Sequence, residues 1–522
     1  MGIALFLWPL GFLSLARPVP RLQSNSVSQP ARFLSTVLAV LSLSGSVTPL
    51  VAEARGATKD PKLTLADRLK AWTRKGPVRS GEWAVAVQRI GEASPVLAVN
   101  ASRPLILAST TKVLTTAAAL DRLGPDYRFR TSLYLDADIG PDGSVPGTLV
   151  IRGGGDPALS GRLYEDDPLA VFRPWADALV RRGIKKIGGG LLLDVSFFDD
   201  LRIHADWPSE QEQRWYQAPV SALSYNDNVV LVRATGGLRP GAPAVLGFYP
   251  AGPHLLSLVS RVVTVQGIGA RVGVRREAGS RTVIASGLVG RRRTWMGDVT
   301  VPDPPLYFAG AFSQVLKESG IEIGAAPTVR TEATPGQPGR TLIHTHETPI
   351  VPVLSVCNKR SQSFYAEQIL KTLGAEKRGK GTWENGELEV AAFLRSLGLD
   401  PSRYQLADGS GRSRNDRASA GAYVDFLVAL ATRWDKFAQF EPTLAISGDQ
   451  AGTLRHRLLG ADTRGKVFAK TGNIAGVVTL CGYVTARSGE TYAFSILLNG
   501  GCPEGRGHSW QDRFLVELAR WG

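Results

Sequence analysis

The sequence predicts a protein of the α/β class, of the α+β kind. A five-stranded antiparallel sheet is flanked by helices, with a helical subdomain beside it and mostly β inserts between its two halves. Three observations carry this prediction. Two strand-like runs lie near the start, Trp83-Ala-Val-Ala-Val-Gln-Arg89 and Val96-Leu-Ala-Val99. Three more lie near the end: Lys466 to Ala469, Val477-Val-Thr-Leu-Cys-Gly-Tyr-Val484 and Tyr492-Ala-Phe-Ser-Ile-Leu-Leu498. Helical patterns bracket both sets, which suits one sheet assembled from the two ends of the chain, with the middle inserted.

Taken in order, the chain first shows a basic Arg32, an apolar run from Phe33 to Val47 and small residues around Ala52-Glu53-Ala54. That succession reads as an export signal over residues 1–54, and the mature protein is expected in the periplasm. An earlier apolar stretch, Ile3 to Leu15, lacks a basic flank and is either an extension ahead of the true start or a membrane-retained start. Leu63 to Lys75 has helical spacing. The run from Leu107 to Leu120 opens a buried helix that ends at Gly124-Pro125. The insert, residues 136–344, holds short strands separated by glycine and proline, among them Gly147 to Arg152, Gly188 to Asp194, Val229 to Arg233, Ser257 to Gln266 and Arg281 to Ser286. Helical spacing returns from Pro352 to Leu373 and from Trp383 to Leu397, and Gln511 to Trp521 forms the last helix. Residues 60–135 and 345–522 are thus expected to form the main domain.

Composition narrows the function. The 522 residues are 43% hydrophobic, enough for a large core, and no other long uncharged run suggests a membrane span. Membrane association is expected to be peripheral or none. Three cysteines, Cys357, Cys481 and Cys502, allow one bridge at most, and Cys357 and Cys481 read as small core residues. Six histidines with no close His or Cys cluster give no support for a metal, and no cofactor is expected. The net charge of +15 favours an anionic partner, but the basic residues are scattered and carry no nucleic-acid motif.

Ser109 and Lys112 stand three residues apart at the start of the buried helix, on one face. A serine hydroxyl becomes nucleophilic when a base takes its proton, and a lysine in an apolar setting can be that base. Lys470-Thr471-Gly472 stands at the end of a strand. A cation and a hydroxyl there can bind a carboxylate, while glycine lets a ligand lie close to the strand.

In this order, the two motifs resemble those of the penicillin-recognising serine enzymes. Further segments resemble the D-alanyl-D-alanine carboxypeptidase/endopeptidase family of type 4 penicillin-binding proteins: Gly153-Gly-Gly-Asp-Pro157, Trp215 to Asn226, Asn358-Lys-Arg-Ser361 leading to Gly374, and Asp408-Gly-Ser-Gly411 with Ser413-Arg414. The resemblance runs from about residue 63 to the end. It implies a transpeptidase-like fold, peptidoglycan stem peptides as substrate and β-lactam antibiotics as ligands. It also implies site roles: Ser109 as nucleophile, Lys112 as base, and Ser361 relaying a proton to the leaving amine. Lys470 and Thr471 would hold the carboxylate, beside Gly472. The backbone N–H groups of Ser109 and Asn473 would hold the oxyanion.

Two positions depart from the family. Where it has Ser-x-Asn, this chain has Ser361-Gln362-Ser363, and the shorter Ser363 is expected to lose direct contact with the lysine and the substrate amide. Asn473 stands where threonine or serine commonly follows Lys-Thr-Gly. Arg414 is either a partner for a free carboxylate on the stem peptide or part of a structural ion pair. Asp199 and Asp200 are candidates for that side chain's ammonium. The main reading is an exported serine DD-peptidase. The alternative is a degenerate member that binds penicillin or peptidoglycan with little turnover. A β-lactamase fits less well, because the chain is much longer than such an enzyme needs and lacks a convincing Glu-x-x-Leu-Asn motif.

Overall fold

Side chains along Trp83–Arg89 alternate between two cores, and this alternation sets the architecture. Ala84 and Ala86 join Cys481, Tyr483, Ala493 and Leu497 on one face of the sheet. Val85 and Val87 join Leu480, Phe494, Ile496 and Leu498 on the other. Both faces are buried, so these strands read as almost unbroken apolar runs. The small residues of the first face let the alanine-rich helix Ala420–Arg433 lie close, and Tyr483 donates its hydroxyl to the Leu427 carbonyl at 2.8 Å. The larger residues of the second face receive helices Leu65–Thr73 and Glu504–Trp521, where Trp510 and Phe514 stack at 5.5 Å.

The computed structural model describes residues 63–250, 255–333 and 341–522, apart from positions 75, 77 and 79–81. The expected export segment, residues 1–54, lies outside them. The described residues belong to one compact unit. The central sheet runs Leu97–Val99, Trp83–Arg89, Thr491–Leu498, Val477–Thr485, Val467–Ile474, all antiparallel. These are the five expected strands. The two-residue Ala445–Ile446 adds a sixth at the edge, too short to leave a periodic signal.

The helical subdomain comprises Thr111–Leu123, Ile350–Lys359, Ser363–Arg378 and Trp383–Ser396. The helical spacing from Pro352 to Leu373 is not one helix: it breaks at Arg360–Gln362, where Ser361 is left-handed at φ 57°. A long-range contact holds the break, since Gln362 Nε2 donates to Asp227 of the insert at 2.7 Å and Arg162 pairs with the same carboxylate.

The insert carries a five-stranded mixed sheet in the order Thr328–Arg330, Leu191–Asp194, Leu149–Arg152, Arg128–Leu135, Thr341–Pro349. Among the described residues three smaller three-stranded sheets accompany it, one around Val229–Thr235, one around Thr282–Gly290 and one around Lys186–Ile187. It also holds helices Arg173–Val180 and Pro304–Glu318, which meet through Phe172, Trp175, Phe308 and Phe312. Strand Arg128–Leu135 pairs within this sheet, so the insert's sheet begins before position 136 and, through Thr341–Pro349, ends after 344. Among the described residues no helix is long and apolar enough to cross a membrane.

Phe494 has no exposed surface and stands across the ladder from Gly482. Phe494→Ala should lower the unfolding free energy by about 3–5 kcal/mol, measured by chemical denaturation.

Candidate active site

Ser109 sits in a tight turn, Ala108–Thr110, that runs straight into helix Thr111–Leu123. Ala108 is left-handed at φ 48°, a conformation that costs an alanine about 1–3 kcal/mol and persists only where packing enforces it. Three neighbours enforce it here. The Thr479 hydroxyl donates to the Leu107 carbonyl at 2.8 Å, and Tyr423 donates to the Thr110 carbonyl at 2.6 Å. Gly411 lies flat against Ala108, where a Cβ would strike its carbonyl oxygen.

The three-residue spacing brings Lys112 Nζ within 2.9 Å of Ser109 Oγ. Lys112 is fully buried and has two further oxygen partners, Ser363 Oγ at 3.3 Å and the Ser410 carbonyl at 2.7 Å. Burial pushes its pKa below 10.5, towards the neutral amine. A neutral amine has two N–H groups and one lone pair. With the N–H groups given to Ser363 and Ser410, the lone pair faces the Ser109 hydroxyl.

The expectation that Ser363 would lose the lysine is therefore corrected. Ser363 is the first residue of helix Ser363–Arg378, which packs on the helix carrying Lys112, so the backbone itself brings the short side chain within reach. The Ser410 carbonyl was not legible as a partner. It belongs to a loop wound around one carboxylate: Asp408 Oδ1 accepts from the amides of Ser410 (3.0 Å), Gly411 (2.6 Å) and Arg412 (3.3 Å). Its Oδ2 accepts from the Ser413 amide (2.6 Å) and Trp207 Nε1 (2.8 Å). Burial and the charge of Asp408 push Asp416 well above the usual carboxylate range, and the same two causes lift Glu367 to about 8. Glu367 accepts from Trp383 Nε1 and the Gly409 amide, at 2.8 and 2.9 Å.

Lys470-Thr471-Gly472 lies inside strand Val467–Ile474 rather than at its end, with the ladder to Val477–Thr485 continuing past it. The apolar run stops at Ala469 because the next three positions face the cleft and the nucleophile turn. Lys470, also fully buried, donates to Ser361 Oγ and the Thr471 carbonyl, both at 2.7 Å. Burial, and then the positive charge of Lys112, push its pKa well below 10.5. Thr471 donates to Thr453 Oγ1 at 2.9 Å. A Cβ on Gly472 would strike the Thr479 hydroxyl and lie 3.0 Å from the Ser109 nitrogen, so glycine is what lets the strand lie against the turn.

Ser109, Ser361, Ser363, Thr471 and Asn473 face one cleft of about 1210 Å³. Trp215, Tyr216 and Arg412 form part of its wall. Arg412 is held by Gln211 and Gln217, with its guanidinium 5.2 Å from the Tyr216 ring centre. Arg414 is exposed and donates to the Ala475 carbonyl at 2.6 Å; no ion pair joins it to a described residue, and Arg412 is the arginine of that segment that borders the cleft. Asp199 is not a cleft residue, being paired with Lys371 at 2.6 Å, and Asp200 lies 3.7 Å from Arg202. All three cysteines are free and buried, and burial pushes Cys357 and Cys481 up to about 12. No cluster of three or more His, Cys, Asp or Glu suited to a metal occurs among the described residues.

The sequence profile described as the D-Ala-D-Ala carboxypeptidase 3 (S13) family matches residues 65–519. The D-alanyl-D-alanine carboxypeptidase of Actinomadura sp. (strain R39) is 29% identical over 495 residues, covering 91% of this chain and 87% of that protein. D-alanyl-D-alanine carboxypeptidase DacB of Haemophilus influenzae is 26% identical over 436 residues, covering 82% and 87%. The crystal structure of penicillin binding protein 4 (dacB) from Haemophilus influenzae shares the fold with a TM-score of 0.74 at 23% identity, over 87% of this chain and 99% of that one. The same protein complexed with a β-lactam gives a TM-score of 0.68 at 24% identity, with the same coverage.

Asp408→Ala would orphan five donors in the loop that presents the Ser410 carbonyl. It should cost at least about 3 kcal/mol of stability by chemical denaturation, while Asp408→Asn, which keeps one acceptor oxygen, should cost less. A loss below about 1 kcal/mol for the alanine variant would contradict this account of the loop.

Proposed function

The chain belongs to the D-Ala-D-Ala carboxypeptidase 3 (S13) family and is a serine D-Ala-D-Ala carboxypeptidase; we propose that it is exported to the periplasm and trims or opens peptidoglycan through an acyl-enzyme on Ser109. The single observation that carries this reading is the three-oxygen setting of Lys112, with Ser109 at 2.9 Å. Contact with Ser363 supports turnover over the degenerate alternative, because the substitution keeps an acceptor for the lysine.

In the proposed reaction Ser109 Oγ attacks the carbonyl between two D-alanines, and its proton passes to Lys112 Nζ. Backbone N–H groups of Ser109 and Asn473 receive the oxyanion, each worth about 2.7–4 kcal/mol in such sites. As the C–N bond breaks, Ser361 gives its proton to the leaving amine and takes one from Lys470, 2.7 Å away. Water then attacks the ester. Its proton returns to Lys470 by way of Ser361, and Lys112 restores the proton of Ser109. The substrate carboxylate sits on Lys470 and Thr471, and its negative charge favours the protonated form of that buried lysine. A β-lactam, whose ring amide resembles the scissile bond, should acylate the same serine.

Incubation with muropeptides should release D-alanine from monomers, and Ser109→Ala should abolish both release and labelling by a fluorescent penicillin. Neither release nor labelling by the unaltered protein would overturn the reading. The base must be neutral to accept a proton, so the acylation rate should rise with pH through the pKa of Lys112, with its midpoint below 10.5. Ser363→Ala, which removes one of the lysine's acceptors, should slow acylation about 10- to 100-fold in stopped-flow measurements.

A further inference from the structure

We propose that Arg360 and Arg455 form an anion subsite for the leaving strand of a peptide cross-link, so that the cleft favours cross-linked dimers over monomers. The inference rests on the DD-peptidase reading above and extends it to the choice of substrate.

A hollow of about 310 Å³ adjoins the cleft, and Arg360, Thr453 and Arg455 border both spaces. Ser109 and Asn473 border the cleft alone. The link between the two spaces is Thr453, whose hydroxyl receives the Thr471 hydrogen bond at 2.9 Å. A leaving residue with its carboxylate on Lys470 and Thr471 therefore directs the rest of its strand towards Thr453 and the hollow.

The electrostatics of the hollow have one sign. Both arginines are exposed, and neither guanidinium makes a hydrogen bond or ion pair with a described residue. Of the three other cleft arginines, Arg457 pairs with Asp512 at 2.6 Å and Arg412 is held by its two glutamines, while Arg214 borders the cleft but not the hollow. The acids of the cleft, Glu210 and Glu504, do not border the hollow. Asp449, nearby in sequence, is turned to Lys359 at 3.5 Å and to the Ala451 amide at 3.1 Å.

The two arginine segments are also fixed to each other, because the Thr453 amide donates to the Lys359 carbonyl at 2.9 Å. Two guanidinium groups on segments joined in this way suit a planar carboxylate, which each can bind through paired N–H donors. A terminal D-alanine has a single carboxylate, already taken by Lys470 and Thr471. The leaving strand of a cross-link carries more. The subsite therefore acts on one of the two reactions and leaves the other without a partner for it.

The test compares kcat/KM for D-alanine release from a monomeric pentapeptide with that for cleavage of a cross-linked dimer, using the purified protein and the double variant Arg360→Ala, Arg455→Ala. The dimer-to-monomer ratio should fall about 10-fold in the variant, mostly through KM, with penicillin labelling retained as evidence of an intact site. Amidating the dimer's leaving strand at its free carboxylates other than the one beside the scissile amine, which Lys470 and Thr471 hold, should produce the same fall with the unaltered protein. A ratio that stays within about twofold in the variant, in a protein active on both substrates, overturns the subsite alone. An unaltered protein inactive on both substrates overturns the peptidase reading on which the subsite depends.

Discussion

A lysine without exposed surface must give its N–H groups to oxygen or leave them unpaired in a medium where each unmade bond is costly. Lys112 meets this constraint with oxygens from three separate parts of the chain: the turn that leads into its own helix, the first turn of Ser363–Arg378, and the loop around Asp408. Much of the architecture near the cleft can be understood as holding those three oxygens in place. The left-handed Ala108 sets the first, the packing of two helices sets the second, and a carboxylate surrounded by five donors sets the third. Lys470, equally buried, is met by an oxygen of Ser361, itself left-handed.

The two lysines differ in what their surroundings leave free. For Lys112 the acceptors occupy the N–H groups and turn the lone pair to a hydroxyl. Lys470 instead lies beside an open cleft in which an arriving carboxylate can meet its charge. Similar side chains, both driven towards neutrality by burial, thus receive opposite tasks from geometry. Their mutual repulsion reinforces the division, since a charge on one disfavours a charge on the other.

Sequence made the central sheet legible because its strands are buried on both faces and carry runs of apolar residues between turn signals. It also fixed the three-residue spacing of Ser109 and Lys112, which a helix converts directly into contact. What it hid depends on tertiary contacts. The break at Ser361 falls inside an apolar pattern that looks helical throughout, and a distant aspartate, Asp227, holds it. A chemical argument from side-chain length misjudged Ser363, because the backbone supplies the reach that the side chain lacks. Main-chain acceptors such as the Ser410 carbonyl leave no compositional trace at all. Arg412 and Arg414 differ by two places in sequence, and only the turn of the loop decides which one borders the cleft.

The central sheet joins strands from the two ends of the chain, and this has a bearing on when the protein can become active. Synthesis proceeds from the N-terminus, so Ser109 and Lys112 are made well before the strand carrying Lys470. Until Val467–Ile474 pairs with its neighbours, the cleft has one wall and the nucleophile turn lacks the Thr479 hydroxyl that braces it. Contacts this distant along the chain form late and slowly. A growing chain therefore carries the serine without the Thr479 brace until the last strands of the sheet are made.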